Sequence, residues 1–190
     1  MTVEQRLMLK LVAGLLDYPG GREFWRRVDE RLPLADELDS RLGDTIRVFQ
    51  QTGSLELQKI YVQTFDFDEQ CSLYVTAHEL GDSRGRGQAL IALIELYRQA
   101  GYEVPDHQIA DFLPTLLEWG AVHPGLMDAT LRHRVGGVAR HIGERLGYRH
   151  VYHALFLLVV EILGSPEDQD SLRTSEQPDL VDLPYPIEYP

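Results

Sequence analysis

The chain has 190 residues, 44% of them hydrophobic and 25% charged, and its 30 Asp and Glu against 18 Lys and Arg give a formal net charge of -12. A chain of this length buries roughly 70% of its unfolded surface as one domain, so no disulfide or metal is required to hold it, and so apolar a composition excludes a disordered chain. The negative balance repels a phosphate backbone at long range and favours cationic partners, which sets nucleic acid aside.

The first element expected is a helix carrying Val3, Leu7, Leu11, Leu15 and Leu16 at helical spacing, with Thr2 as cap and Tyr18-Pro19-Gly20-Gly21 as stop. A second, short segment runs through Phe24, Trp25 and Val28, and a third places Leu38, Leu42, Ile46 and Phe49 on one stripe. Ser54 is expected to cap a helix bearing Leu57, Ile60, Tyr61, Thr64 and Phe65. The run CSLYVTAHEL suits either a strand or a helix, and we assign it to helix because no second strand-like run exists to pair with it. Asp82 or Ser83 then caps a long helix with Ala89, Leu90, Leu93, Ile94 and Tyr97 as its apolar stripe and Gly101 as its stop. Asp111 caps the next, with Pro114 in its first turn and Leu113, Leu116, Leu117 and Trp119 facing inward. Two more follow, from about Leu126 to Leu146 with Gly136-Gly137 as a weak point, and from about Arg149 to Leu163.

The expected fold is therefore all-α, a single-domain helical bundle over residues 1–164. Residues 165–190 form an acidic, proline-containing tail, whose seven acids and one base account for half of the net charge. The apolar run from Ala154 to Gly164 is broken by Glu161 and is too short to span a bilayer, so it is expected as a buried helix, with no direct membrane insertion. The N-terminal stretch has charges spread among its apolar residues and reads as part of the fold rather than as a secretory signal. A lone cysteine, Cys71, allows no intramolecular disulfide and suits a reducing compartment, the cytoplasm.

Seven histidines raise the possibility of a metal-dependent hydrolase, but no HExxH motif and no paired Glu-x-x-His accompanies them, and polar helix faces account for them better. Cys71 sits beside Asp66, Asp68 and Glu69, which disfavour a thiolate and suit a small core side chain. Gly81, Gly85 and Gly87 lack the preceding strand of a phosphate-binding loop. For Arg84 and Arg86 the simplest role is ion pairing with Asp82 and Glu79, although two glycines just inside a helix cost about 1 kcal/mol each and suggest close approach of something else. Aromatic residues Tyr61, Phe65, Phe67 and Tyr74 interleave with Asp66, Asp68, Glu69 and Glu79. Apolar pockets rimmed by acids would match a basic amphipathic helix laid into a groove.

Several blocks carry a family resemblance: LLDYPG from Leu15, the run from Tyr61 to Leu90, LIELYRQAG from Leu93, and DFLPTLLEW from Asp111. The pattern S-L-x-x-x-x-H-x-x-G-[DE]-S-R-x-R-G, Ser72 to Gly87, is the most specific. In these the chain resembles the nitrate reductase molybdenum cofactor assembly chaperones of NarJ type, related to the twin-arginine leader-binding chaperones. The resemblance implies an all-helical cytoplasmic chaperone without catalytic activity or a cofactor of its own. It would bind the N-terminal basic amphipathic segment of a nitrate reductase catalytic subunit and assist molybdenum cofactor insertion before membrane docking. The client-binding set expected from resemblance and residue pattern together is Tyr61, Phe65, Asp66, Tyr74, His78, Glu79, Asp82, Arg84, Arg86, Gln88 and Tyr97. One departure is that Ala110-Asp111-Phe112 stands before Leu113-Pro114, where relatives often have Pro-Asp-His. The alternatives are a chaperone for another molybdoenzyme or twin-arginine leader, a histidine-dependent metallohydrolase, or a helical subunit that forms a homodimer through its last helix.

Overall fold

In the computed structural model, residues 1–81, 83–104 and 108–164 are described, and the acidic tail at 165–190 lies outside them. The described residues form nine α-helices and no strands. Helix α1 (Val3–Leu15) starts on a capping box, in which the Thr2 hydroxyl accepts from Gln5 N–H while the Gln5 side chain accepts from Thr2 N–H. Its buried Leu9, Leu11, Val12, Ala13 and Leu15 make it the central element, packed on α2, α7 and α9.

The second segment is longer than its apolar residues suggested. Helix α2 (Gly21–Leu38) runs through Pro33, and α3 (Ser40–Thr52) returns against it with Asp39 as the cap between them. Gly53, at φ +77, occupies the capping position before α4 (Ser54–Tyr61), so Ser54 is the first helical residue and not the cap. Its hydroxyl instead accepts from the Trp25 indole and the Gln58 amide.

The run from Cys71 to Leu80 divides. Glu69–Cys71 is a single 3-10 turn, Leu73 and Tyr74 are extended, and only Val75–Leu80 forms a helix, α5. The strand-like character of Tyr74 finds a partner after all, in an isolated antiparallel bridge to Phe112. Its hydrogen bonds run from Leu113 N–H to Leu73 O and from Val75 N–H to Asp111 O. Helix α6 (Arg84–Gln99) follows from Ser83 and ends at Gly101, φ +66. Phe112, not Asp111, is the residue before α7 (Leu113–Val122), whose Leu113, Leu116, Leu117 and Trp119 are all buried as expected.

Helix α8 (Ala129–Leu146), capped by Asp128, and α9 (His153–Leu163) start a few residues later than the hydrophobic pattern suggested. They form the most extensive helix pair, and α8 runs unbroken through Gly136 and Gly137. A methyl group at Gly136 would overlap the carbonyl oxygen of Gly164, so glycine here serves close helix approach rather than a break. Rings of Phe49, Tyr61, Phe65, Tyr152 and Phe156 join α3, α4 and α9 through edge-on and tilted contacts at centroid distances of 5.0 to 6.1 Å.

Candidate functional site

The expected client-binding residues fall into two groups. Past Tyr61 the chain widens into a π-helical turn, Val62–Asp66, which rotates Phe65 into the aromatic cluster and leaves Asp66 and Phe67 facing outward. Tyr61 and Phe65 are each only 5% exposed and Tyr97 is 1% exposed. These three rings are largely covered by the fold, and Tyr61 and Tyr97 reach the surface only within concavities. The Tyr61 hydroxyl donates to Leu16 O at 3.2 Å and that of Tyr97 to Ala110 O at 2.8 Å. Burial raises the pKa of both phenols, so they remain donors at any physiological pH.

The second group lies near the surface around α5 and the start of α6. Asp82 is outside the described residues. Arg84 and Gln88 are exposed, while Tyr74, His78 and Arg86 are half-buried. Glu79 pairs with Arg134 of α8, and Asp68 with Arg145 of α8 at 3.3 Å, so part of the expected acidic rim is held by arginines of the same chain. Of the carboxylates expected to pair with Arg84 and Arg86, Asp82 lies outside the described residues and Glu79 is paired with Arg134. Arg86 reaches inward, with Nε 3.3 Å from the Thr76 hydroxyl and Nη2 3.8 Å from Asp111 Oδ2.

Asp111 is fully buried, and its Oδ2 accepts from both the backbone N–H and the hydroxyl of Thr76. Sequence inspection assigned it to a helix cap because capping considers only neighbours along the chain. Its partner lies 35 positions away, where no local pattern could signal it. His78 donates from Nε2 to Ser72 O at 2.7 Å, and its ring centroid is 5.6 Å from that of His141. Burial depresses its pKa, the Ser72 carbonyl opposes this, and His141 adds to the depression, which favours a neutral ring at neutral pH. Cys71 is buried, and burial together with Asp68 pushes its thiol up to about 11, so it is a core side chain. Among the described residues no three His, Cys, Asp or Glu side chains converge as metal ligands.

A concavity of about 290 Å³ lies at His78, Glu79, Arg134 and His141, and two larger ones flank this framework. On α6 only Leu93 and Tyr97 are buried, whereas Ile91 is 68% and Ile94 53% exposed. By helical spacing Arg84, Gln88 and Ile91 share one stripe, with Ile94 beside it. The stripe leads to a depression of about 510 Å³ formed by Ile94, Tyr97, Tyr102 and Val104, with Arg98 and Glu103 at its edge.

The other concavity, about 550 Å³, lies between α1, α2 and α7. Aromatic walls come from Tyr18, Tyr61, Tyr74, Tyr102 and Phe112, so two expected site residues line it. Its charges are mixed. Lys10, Arg27 and Arg31 face Asp17 and Glu118, which differs from the uniformly acidic trough the sequence suggested.

The described body is all-helical, with a buried polar clasp of Arg86, Thr76 and Asp111 behind the surface helix α6. Residues 30–140 match the model of the nitrate reductase delta subunit family, and the chain belongs to that family. It is 28% identical over 177 residues to the nitrate reductase molybdenum cofactor assembly chaperone NarJ of Escherichia coli strain K12, spanning 86% of this chain and 72% of that one. It is 27% identical over 166 residues to NarW of the same strain, named as a probable chaperone of the same kind, spanning 87% of this chain and 71% of NarW. The fold resembles the crystal structure of a redox enzyme maturation protein from Archaeoglobus fulgidus, with a TM-score of 0.65 at 20% identity, covering 83% of this chain and 93% of that one.

Proposed function

We propose that this chain is a cytoplasmic chaperone of nitrate reductase maturation that binds the N-terminal basic amphipathic segment of the catalytic subunit. It holds that subunit while the molybdenum cofactor is inserted and before the enzyme docks at the membrane. Family membership and the names of the relatives support the chaperone role. The observation that carries the binding surface is the outward face of α6, where Ile91 and Ile94 stand uncovered beside Arg84 and Gln88 of the family segment. An amphipathic client helix laid along α6 would cover both isoleucines, and burial of one isoleucine side chain contributes about 1.5–3 kcal/mol. The net charge of -12 draws a cationic segment in from a distance. Residues 1–164 form the binding body in this proposal, and the acidic stretch 165–190 is an appendage to it.

Titration calorimetry with a peptide copying the client's first residues tests this. Low-salt binding is expected, weakened about tenfold or more by Ile91→Asp, since 1.4 kcal/mol corresponds to a factor of ten. The melting temperature should not move, because the side chain is exposed. Absence of binding by the parent, or equal binding by the variant, would remove α6 as the site.

A further inference from the structure

The cleft between α1, α2 and α7 contains a charge arrangement that client binding on α6 does not use. Arg27 and Arg31 are one turn apart on α2 and both face the cleft. Arg31 is half-buried, and burial together with the neighbouring Arg27 lowers its pKa. Glycine at position 14 is what lets its guanidinium lie against α1, since a methyl group there would overlap it. Asp17, Glu118 and Glu30 act on Arg31 at longer range, but among the described residues no carboxylate comes within ion-pairing distance of it. Arg27 has Asp17 at 3.7 Å, and its buried Nε lacks a hydrogen-bond partner among the described residues.

Two neighbouring guanidinium groups, one half-buried and the other with a buried Nε, with one carboxylate at the outer limit of pairing, oppose stability. An oxyanion placed between them would relieve both, and the guanidinium fork fits phosphate in a bidentate manner. Lys10 at the rim adds a third cation. The remaining walls specify what accompanies the phosphate. Tyr18, Tyr74 and Tyr102 line the cleft, and aromatic side chains are stacking partners for a planar group. The acids Asp17 and Glu118 also line the cleft, which supplies carboxylate acceptors among the aromatic walls. Carboxylates next to aromatic rings accept hydrogen bonds from ring N–H and amino groups. A volume of about 550 Å³ lies within the range usual for small-molecule sites.

We propose that this cleft binds a nucleotide-type ligand, with a planar nitrogen heterocycle between the tyrosines and its phosphate on Arg27 and Arg31. The site is separate from the client surface on α6 and stands or falls independently of it.

The test is calorimetric titration of the full chain at low ionic strength with guanosine monophosphate, adenosine monophosphate, ribose 5-phosphate and inorganic phosphate. A 1:1 complex with a nucleotide is expected, weakened about tenfold by Arg31→Gln and less by Arg31→Lys. Glu118→Gln should weaken the guanosine compound, whose ring presents N–H and amino donors together, relative to ribose 5-phosphate. Ile91→Asp should leave nucleotide binding intact. If Arg31→Gln fails to melt cooperatively, Arg27→Gln and Arg31→Lys serve in its place, and parental affinity in both overturns the proposal. It is also overturned if no nucleotide binds, and inorganic phosphate binding as tightly as the nucleotides removes the heterocycle.

Discussion

Tyr97 and Tyr152 are both buried tyrosines, but their hydroxyls have opposite energetic roles. Tyr97 donates to Ala110 O at 2.8 Å, whereas the hydroxyl of fully buried Tyr152 has no hydrogen-bond partner among the described residues. A made hydrogen bond contributes about 1 kcal/mol net, while a buried unmade one costs a similar amount or more. Tyr152→Phe is therefore expected to raise the melting temperature by about 2–4 °C for roughly 1 kcal/mol, and Tyr97→Phe to lower it by a comparable amount. Differential scanning calorimetry of the two variants checks both signs. The sequence marked Tyr97 as a site residue through family resemblance and gave no signal for Tyr152, because hydroxyl satisfaction depends on residues distant in the chain. Asp111 was hidden for the same reason: a buried carboxylate serving Thr76 and an Asp at a helix start look alike in one dimension.

At the scale of elements, the periodic pattern located the helices well where an apolar stripe faced the core, as in α1, α3 and α7. It failed where the backbone departs from 3.6 residues per turn. The π turn at Val62–Asp66 and the extended pair Leu73-Tyr74 both interrupt stretches that read as helix. It also misjudged α6, where Ile94 fits the stripe but is exposed, because spacing shows which residues share a face and not whether anything covers it. Gly136-Gly137 looked like a weak point and instead allows α8 to approach the end of α9. Gly136→Ala should destabilise the protein by about 1–3 kcal/mol, as overpacking in a tight interface does, since the opposing atom is backbone and cannot rotate away. The urea midpoint of the variant measures it.

For the whole molecule, acidification exposes a cost held in two histidines. His78 and His150 are both depressed below the ordinary value of 6.5, chiefly by burial. In His150 the geometry agrees, since Nδ1 accepts from Tyr152 N–H while Nε2 donates to the Thr64 hydroxyl, an arrangement only the neutral ring can make. As pH falls through 6.5 the unfolded chain takes up protons that the folded chain refuses, so stability declines from there down to the depressed values. Above 6.5 the two groups contribute nothing to the pH dependence. The urea midpoint is expected to be lower at pH 5.5 than at pH 7.5, and the fall should flatten in a His78→Gln, His150→Gln double variant.

The clasp behind α6 has a mechanical consequence. Arg86 in the helix's first turn is tied through Thr76 to Asp111, and Tyr97 in its last turn is tied to Ala110. Both ends of one helix are thus moored to two adjacent residues, and the next residue, Phe112, forms part of the aromatic wall of the cleft on the other side. The helix and the 110–112 stretch are thereby braced as one unit, as a beam is by bearings at both ends.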